Sequence, residues 1–282
     1  MLSIKKPTLI VNEQVCRNNI LRMVQKASEQ NIELRPHFKT HQSHAIGTWY
    51  REKGIKGITV SSFGMAEYFA EAGWNDITVA FPCNINEVDT VNELANKIEL
   101  RILVSNDQII KRLGDTLSSK VKVYIEIEEG GGRTGFDVND IELIEHSIEE
   151  IEKSDYLEFY GLYCHAGRTY ACQNAEEVKE LSHAVLQSLS LLKLHLINNY
   201  GQIKLCYGDT PSFSILKEFN GVDEISAGNY VFYDVMQAEL GSCSINDIAV
   251  ALASPVVSIH YNKEEVCIYG GAVHLSKDKS MS

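Results

Sequence analysis

Lys39 sits inside the stretch LRPHFKTHQSH, Leu34 to His44, among Arg35, His37, His41 and His44. A free lysine amine has a pKa of about 10.4 and is almost wholly ammonium at neutral pH, so it performs no nucleophilic chemistry. Burial and cationic neighbours lower that value, and a lysine held in this way becomes a nucleophile or a carbonyl-trapping amine. Arg35, His37 and His41 are neighbours of that kind. A second chemistry open to the same residues is metal binding by His37 and His41, with His44 as a third ligand. Two observations count against it: the glutamate of H-E-x-x-H is missing, and a strand end does not put i and i+4 on one face. A solvated surface lysine is the bland reading, and the apolar extended run before Lys39 argues against it.

Four later segments carry polar residues beside glycine. EEGGGRTG places Arg133 behind three glycines, where a backbone free of side chains lets a ligand approach closely. HAGRTY supplies His165 and Tyr170. GDTPS supplies Thr210 and Ser212, and AGN supplies Gly228 and Asn229. Small-residue N–H groups and hydroxyls of this kind suit a phosphate dianion. The bland alternatives are a salt-bridge arginine, a satisfied core histidine and two ordinary glycine turns.

The elements that must position these residues alternate in type. Strand-like runs are read at Ile32–Phe38, Gly57–Ser61, Ile77–Phe81, Ile98–Ser105, Val121–Glu128, Tyr156–Cys164, Ile203–Tyr207 and Val222–Ser226. Nearly all are followed by a helical pattern. Ile141, Ile144, Ile148 and Ile151 form one apolar stripe, and Val178, Leu181, Val185, Leu189, Leu192 and Leu196 form another. Continuous apolar strands alternating with helices indicate a parallel sheet covered on both faces. Eight such units predict an α/β fold, a (β/α)8 TIM barrel. A doubly wound open sheet shows the same alternation, but no G-x-G-x-x-G opens a helix after the first strand. The barrel is predicted over 12–240. After about Leu240 the helical spacing stops, and the segments IAVALASPVVSIHY and EEVCIYGGAVHL read as strands. Together with 1–11 they predict a second, incomplete all-β domain over 1–11 plus 241–282, small for a free-standing unit.

Composition narrows the partners. The chain has 282 residues, 44% hydrophobic and 23% charged, which is globular composition. A formal net charge of -12 argues against nucleic acid as partner. No apolar run is long enough to cross a membrane, and the first residues lack the apolar core of a signal peptide. Seven cysteines, an odd number with no C-x-x-C pair, read as reduced thiols of a cytoplasmic protein.

Barrel enzymes carry their chemistry at the C-terminal ends of the strands, and every polar segment above follows a strand. A phosphate cradle and a nucleophilic lysine on one rim are what pyridoxal 5′-phosphate requires. The chain resembles the D-threonine aldolase and D-serine dehydratase group of the alanine racemase-like, fold type III pyridoxal-phosphate enzymes. The matching segments are RPHFKTH, EEGGGRTG, YGLYCHAGRTY, GDTPS and SAGNYVFYDVMQ, in order across about residues 8–275. The resemblance implies that Lys39 forms the internal aldimine. It implies that Arg133 reaches the phenolic oxygen, that His165 packs on the pyridine ring and that Tyr170 lies near cofactor and substrate. Thr210, Gly228 and Asn229 would hold the phosphate. The implied activity is aldol cleavage of a D-threonine-type substrate or dehydration of a D-serine-type substrate. Amino-acid racemisation, or cofactor binding without activity in a chain cut short, are the alternatives. The group also implies a homodimer and, for the lyases, a divalent metal (zinc or manganese) on a His-x-Cys or His-x-Asp motif that this sequence does not show. Ser226 stands where alanine racemases carry an arginine facing the pyridine nitrogen.

Overall fold

The computed structural model describes residues 3–275. In chain order the elements are β1 (Thr8–Val11), α1 (Glu13–Glu29), β2 (Glu33–Leu34), α2 (His44–Arg51), β3 (Ile58–Val60), α3 (Phe63–Glu71), β4 (Asp76–Pro82) and α4 (Val88–Ala95). They continue with β5 (Glu99–Val104), α5 (Asp107–Thr116), β6 (Val121–Glu128), β7 (Phe136–Asp137), α6 (Ile141–Glu152), β8 (Leu157–His165) and α7 (Ala175–Tyr200). The last are β9 (Lys204–Gly208), α8 (Thr210–Ile215), β10 (Glu224–Ile225), α9 (Val235–Leu240), β11 (Val250–Ala253), β12 (Val256–His260) and β13 (Glu265–Ile268).

Eight parallel strands run in the order β2-β10-β9-β8-β6-β5-β4-β3, and a parallel bridge between His37 and Thr59 joins the two ends. The ring is therefore closed, as in a (β/α)8 barrel. Its weakest seam is at β2. The run Ile32–Phe38 reads as a seven-residue strand, yet the ladder covers only Glu33–Leu34. Pro36 has no N–H to donate, so beyond it the strand is held by Thr59 N donating to the Pro36 carbonyl and His37 N to the Ala227 carbonyl, each at 3.0 Å. The β8–β9 seam depends on Gly161. A Cβ there would stand 2.0 Å from the Lys204 carbonyl oxygen, so no other residue fits that register.

The two predicted apolar stripes face the sheet. Ile144, Ile148 and Ile151 of α6 and Leu192 and Leu196 of α7 are buried. Asn106 caps α5 by accepting from Ile109 N at 3.0 Å. GDTPS is not a plain turn. Asp209 accepts from Ser212 N at 2.6 Å and starts the helix α8, with Pro211 in its first turn.

Inside the barrel the layers differ in character. At the N-terminal strand ends Arg35, fully buried, bonds Asp76 through Nη1 at 2.8 Å, and Arg101 faces Glu224 at 3.6 Å. Above it lies a small apolar layer of Leu103, Tyr124, Tyr163 and Cys206. Tyr124 hydroxyl closes on Glu224 beneath it. This packing plugs one end of the barrel and leaves the C-terminal end open for chemistry.

β1 pairs antiparallel with β11, from Thr8 opposite Ala253 to Val11 opposite Val250. β12 and β13 form an antiparallel hairpin. Residues 276–282, the last part of the segment read as a β domain, lie outside the described residues.

Candidate active site

A cavity of about 460 Å³ opens at the C-terminal ends of the strands. Its lining includes Lys39, His165, Tyr170, Gly228 and Asn229, five of the seven predicted site residues, together with His37, Asp209, Ser226 and Asp234. A second cavity, about 290 Å³ between β6, β8 and α7, holds none of the seven.

Lys39 follows β2 on a single 3-10 turn, Phe38–Thr40, capped by His37. Phe38 is fully buried and anchors that turn among Tyr50, Phe69 and Trp74. The next side chain, Lys39, is thereby pushed out into the mouth, where it is exposed. Its packed surroundings and then Arg133 hold its amine below the usual lysine range. Among the described residues it has no hydrogen-bonding or ion-pair partner through its amine.

Arg133 comes from the glycine loop after β6, where Gly130 and Gly132 have φ of 90° and 70°. Its side chain is exposed and carries no ion pair among the described residues. A Cβ on Gly167 would stand 3.6 Å from both Arg133 Nη1 and His165 Nε2, so the two side chains converge on one spot beside the cavity. His165 Nδ1 bonds the Gly208 carbonyl at 2.8 Å, which fixes the ring and leaves Nε2 without that proton. Burial, then Lys39 and Arg133, push His165 down to about 4, so it is neutral at pH 7. His37, more deeply buried, lies well below the ordinary histidine value because of burial, then the nearby Lys39, His165 and His41.

The opposite wall is built from α8 and the turn after β10. Thr210 N donates to the Tyr170 hydroxyl at 3.1 Å, and Asn229 N donates to Thr210 Oγ1 at 3.0 Å. Tyr170 therefore has a lone pair occupied and its own proton free to donate. Burial raises its phenol to about 12, which keeps that proton in place. Thr210 is fully buried and stands behind the wall as the link between Tyr170 and Asn229. Asp234 accepts from Asn229 Nδ2 at 2.8 Å and fixes that side chain. At Gly228 a Cβ would stand 2.3 Å from the His37 carbonyl oxygen, so glycine is required for the wall to meet the Lys39 turn.

Ser226 lies on the lining and shares a 2.7 Å hydrogen bond with Tyr163 hydroxyl. That side of the cavity is neutral. Among the described residues no group of three His, Cys, Asp or Glu side chains converges as a metal site, the histidines of the Lys39 stretch included.

Sequence reasoning did not assign roles to Asp209, Asp234 or Tyr163. Asp209 and Asp234 were visible as helix caps three residues before Ser212 and Gln237. Tyr163 carried no signal beyond strand alternation.

The donor set fits a phosphorylated aldehyde: the cavity holds an amine, a phenol donor and a glycine-lined wall, and a guanidinium stands beside it, the amine and the guanidinium both unpaired among the described residues. Comparison with known proteins agrees with that geometry. The chain is 30% identical to D-serine dehydratase of Dictyostelium discoideum, over 98% of this chain and 75% of the relative. It is 26% identical to D-threo-3-hydroxyaspartate dehydratase of Delftia sp. strain HT23, over 99% and 74%. The solved structure of that Delftia enzyme superposes with a TM-score of 0.91 at 25% identity, covering 98% of this chain and 74% of that one. Alanine racemase from Bacillus anthracis shares the fold, with a TM-score of 0.70 at 15% identity over 94% and 70%. Residues 11–201 match the alanine racemase N-terminal domain family, and the chain belongs to that family.

Proposed function

We propose that the protein is a pyridoxal-phosphate-dependent lyase that dehydrates a small β-hydroxy D-amino acid of the D-serine type. The observation that carries this reading is the unpaired Lys39 amine at the mouth of a cavity whose far wall presents Tyr170, Gly228 and Asn229. Pyridoxal 5′-phosphate, when bound, supplies an aldehyde for amines and an electron sink for negative charge at Cα. Lys39 would hold it covalently. Tyr170, Gly228 and Asn229 would hold its phosphate, with Thr210 fixing two of them from behind. Arg133 would meet its phenolic oxygen, and the flat, neutral His165 would pack on its ring.

Lys39 Nζ, already held below the usual lysine range, is the group suited to take the proton from Cα. Loss of that proton and of the β-hydroxyl as water leaves, after hydrolysis, a 2-oxo acid and ammonia. Arg133 and the phosphate-holding wall orient the substrate relative to Lys39, which lowers the entropy cost of that step. Ser226 favours a lyase over a racemase, because the neutral Tyr163–Ser226 pair stands where the racemase pattern has an arginine. The similarity to two dehydratases over nearly the whole chain favours dehydration over aldol cleavage.

The reading includes a homodimer. The β12–β13 hairpin exposes Val256, Val257, Ile259 and Val266, an apolar surface suited to association. Light scattering should give twice the chain mass of 31.6 kDa.

The test is turnover of D-serine with the cofactor, with and without added zinc or manganese. Pyruvate and ammonia in equal amounts support the reading. L-serine from D-serine would establish a racemase, and glycine with acetaldehyde from D-threonine an aldolase. A protein that takes up the cofactor but turns over none of these would be a binding protein.

A further inference from the structure

Two acids line the cavity, and only one is satisfied. Asp234 uses both oxygens, accepting from Asn229 Nδ2 and from Gln237 N at 2.8 Å each. Asp209 is 1% exposed and uses Oδ1 alone, for Ser212 N at 2.6 Å and Thr169 Oγ1 at 3.0 Å. Its Oδ2 has no partner, and no cation pairs with it among the described residues. The residue after it, Thr210, is the link that holds Tyr170 and Asn229 in the wall.

A buried carboxylate with one oxygen unsatisfied and no cation beside it is costly, and a phosphate dianion in the same cavity adds like-charge repulsion. Protonation relieves both and gives Oδ2 a proton. We propose that Asp209 accompanies phosphate capture as a neutral carboxylic acid, so that the site binds its phosphorylated ligand together with one proton. This rests on the cofactor reading above.

On its own side of the cavity Asp209 is the group that responds, and Lys39 is common to the wild type and the Asp209 variants. Cys164 and His165 face it from β8, Tyr170 and Cys172 from the following turn, Tyr207 from β9 and Asp234 from the start of α9. His37 and Lys39 lie across the cavity. Burial keeps the Cys164 thiol and the Tyr207 phenol well above their usual values, so both stay protonated. His165 stays neutral, while burial pushes Asp209 up to about 6. Above that pH the free protein must take up a proton to bind, so affinity falls as pH rises. Below it the proton is already present and the dependence vanishes.

The experiment titrates the full-length apoprotein with 4′-deoxypyridoxine 5′-phosphate, which has no aldehyde to react with Lys39, from pH 5.5 to 8.5. The wild type should lose up to about tenfold in affinity per pH unit above ~6.5, relative to Asp209→Asn, whose profile lacks that proton. Asp209→Ser, which also caps a helix, should match Asp209→Asn. Calorimetry in buffers of different ionisation enthalpy should show more proton uptake at pH 8 by the wild type than by Asp209→Asn. Parallel pH profiles for wild type and variants, or equal proton uptake by wild type and Asp209→Asn, would overturn the proposal. Borohydride treatment with pyridoxal 5′-phosphate separates the two ideas. No pyridoxyl group on the wild type at any pH defeats the cofactor reading, whereas a fixed cofactor with parallel profiles defeats only the role of Asp209.

Discussion

The amine of Lys39 lies below the usual lysine range because of its packed surroundings and the nearby Arg133. Phe38 fixes the turn, Arg133 adds a second positive charge, and among the described residues no carboxylate pairs with Lys39 or Arg133. A phosphorylated, phenolic ligand would offer an anionic partner to both cations. Tyr170 is the clearest single donor on the wall, so Tyr170→Phe should weaken cofactor binding by about 1 kcal/mol, or several-fold, because it deletes the donor and the acceptor for Thr210 N. Unchanged affinity in an equilibrium titration would remove Tyr170 from the cradle. At Gly228 the constraint is steric. Gly228→Ala places a methyl against a backbone carbonyl that cannot swing aside, and should cost about 1–3 kcal/mol in urea unfolding together with cofactor retention.

At the scale of elements, the strands were legible where burial on both faces made them continuous apolar runs. β6 coincides with its sequence reading residue for residue. The strand around Pro36 was read too long because apolar pattern does not count hydrogen-bond donors. α8 was hidden because GDTPS has the composition of a turn, while the spacing of Asp209 and Ser212 marks a helix start. The polar segments at strand ends were legible as a set because a parallel barrel sends all those ends to one rim. The position of Thr210 behind the wall, and the burial of Asp209, were not legible, since both follow from how α8 docks against the turn after β8, some 40 residues earlier. The helices themselves act as scaffold. Leu196→Ala on the inner face of α7 should cost about 2–5 kcal/mol, whereas Leu194→Ala on its outer face, 61% exposed, should change stability by no more than about 0.5 kcal/mol. Equal effects in chemical denaturation would contradict the packing of α7 against the barrel.

For the whole molecule, the charge distribution is uneven. The chain carries a net charge of -12, yet Lys39 in the cavity and Arg133 beside it carry no ion pair among the described residues. Among the described residues no helix is long and apolar enough to cross a membrane. Acid should unfold the protein partly through its histidines. His41, pushed down to about 3 by burial among Phe38, Tyr50 and Phe69, and His165 at about 4 are neutral when folded. Unfolded, each titrates near 6.5, so their contribution is complete above about 6.5 and is lost as pH falls toward 4. The melting temperature should drop across that window, and His41→Phe should drop less. A wild-type melting temperature that is flat from pH 6.5 to 4 would contradict this.

The most direct test of the central claim is to incubate the protein with pyridoxal 5′-phosphate, reduce with borohydride, digest, and locate the modified peptide by mass. We expect a single pyridoxyl group on Lys39 and none in Lys39→Ala. A protein that is unlabelled, or labelled equally on surface lysines with Lys39 bare, would contradict the account.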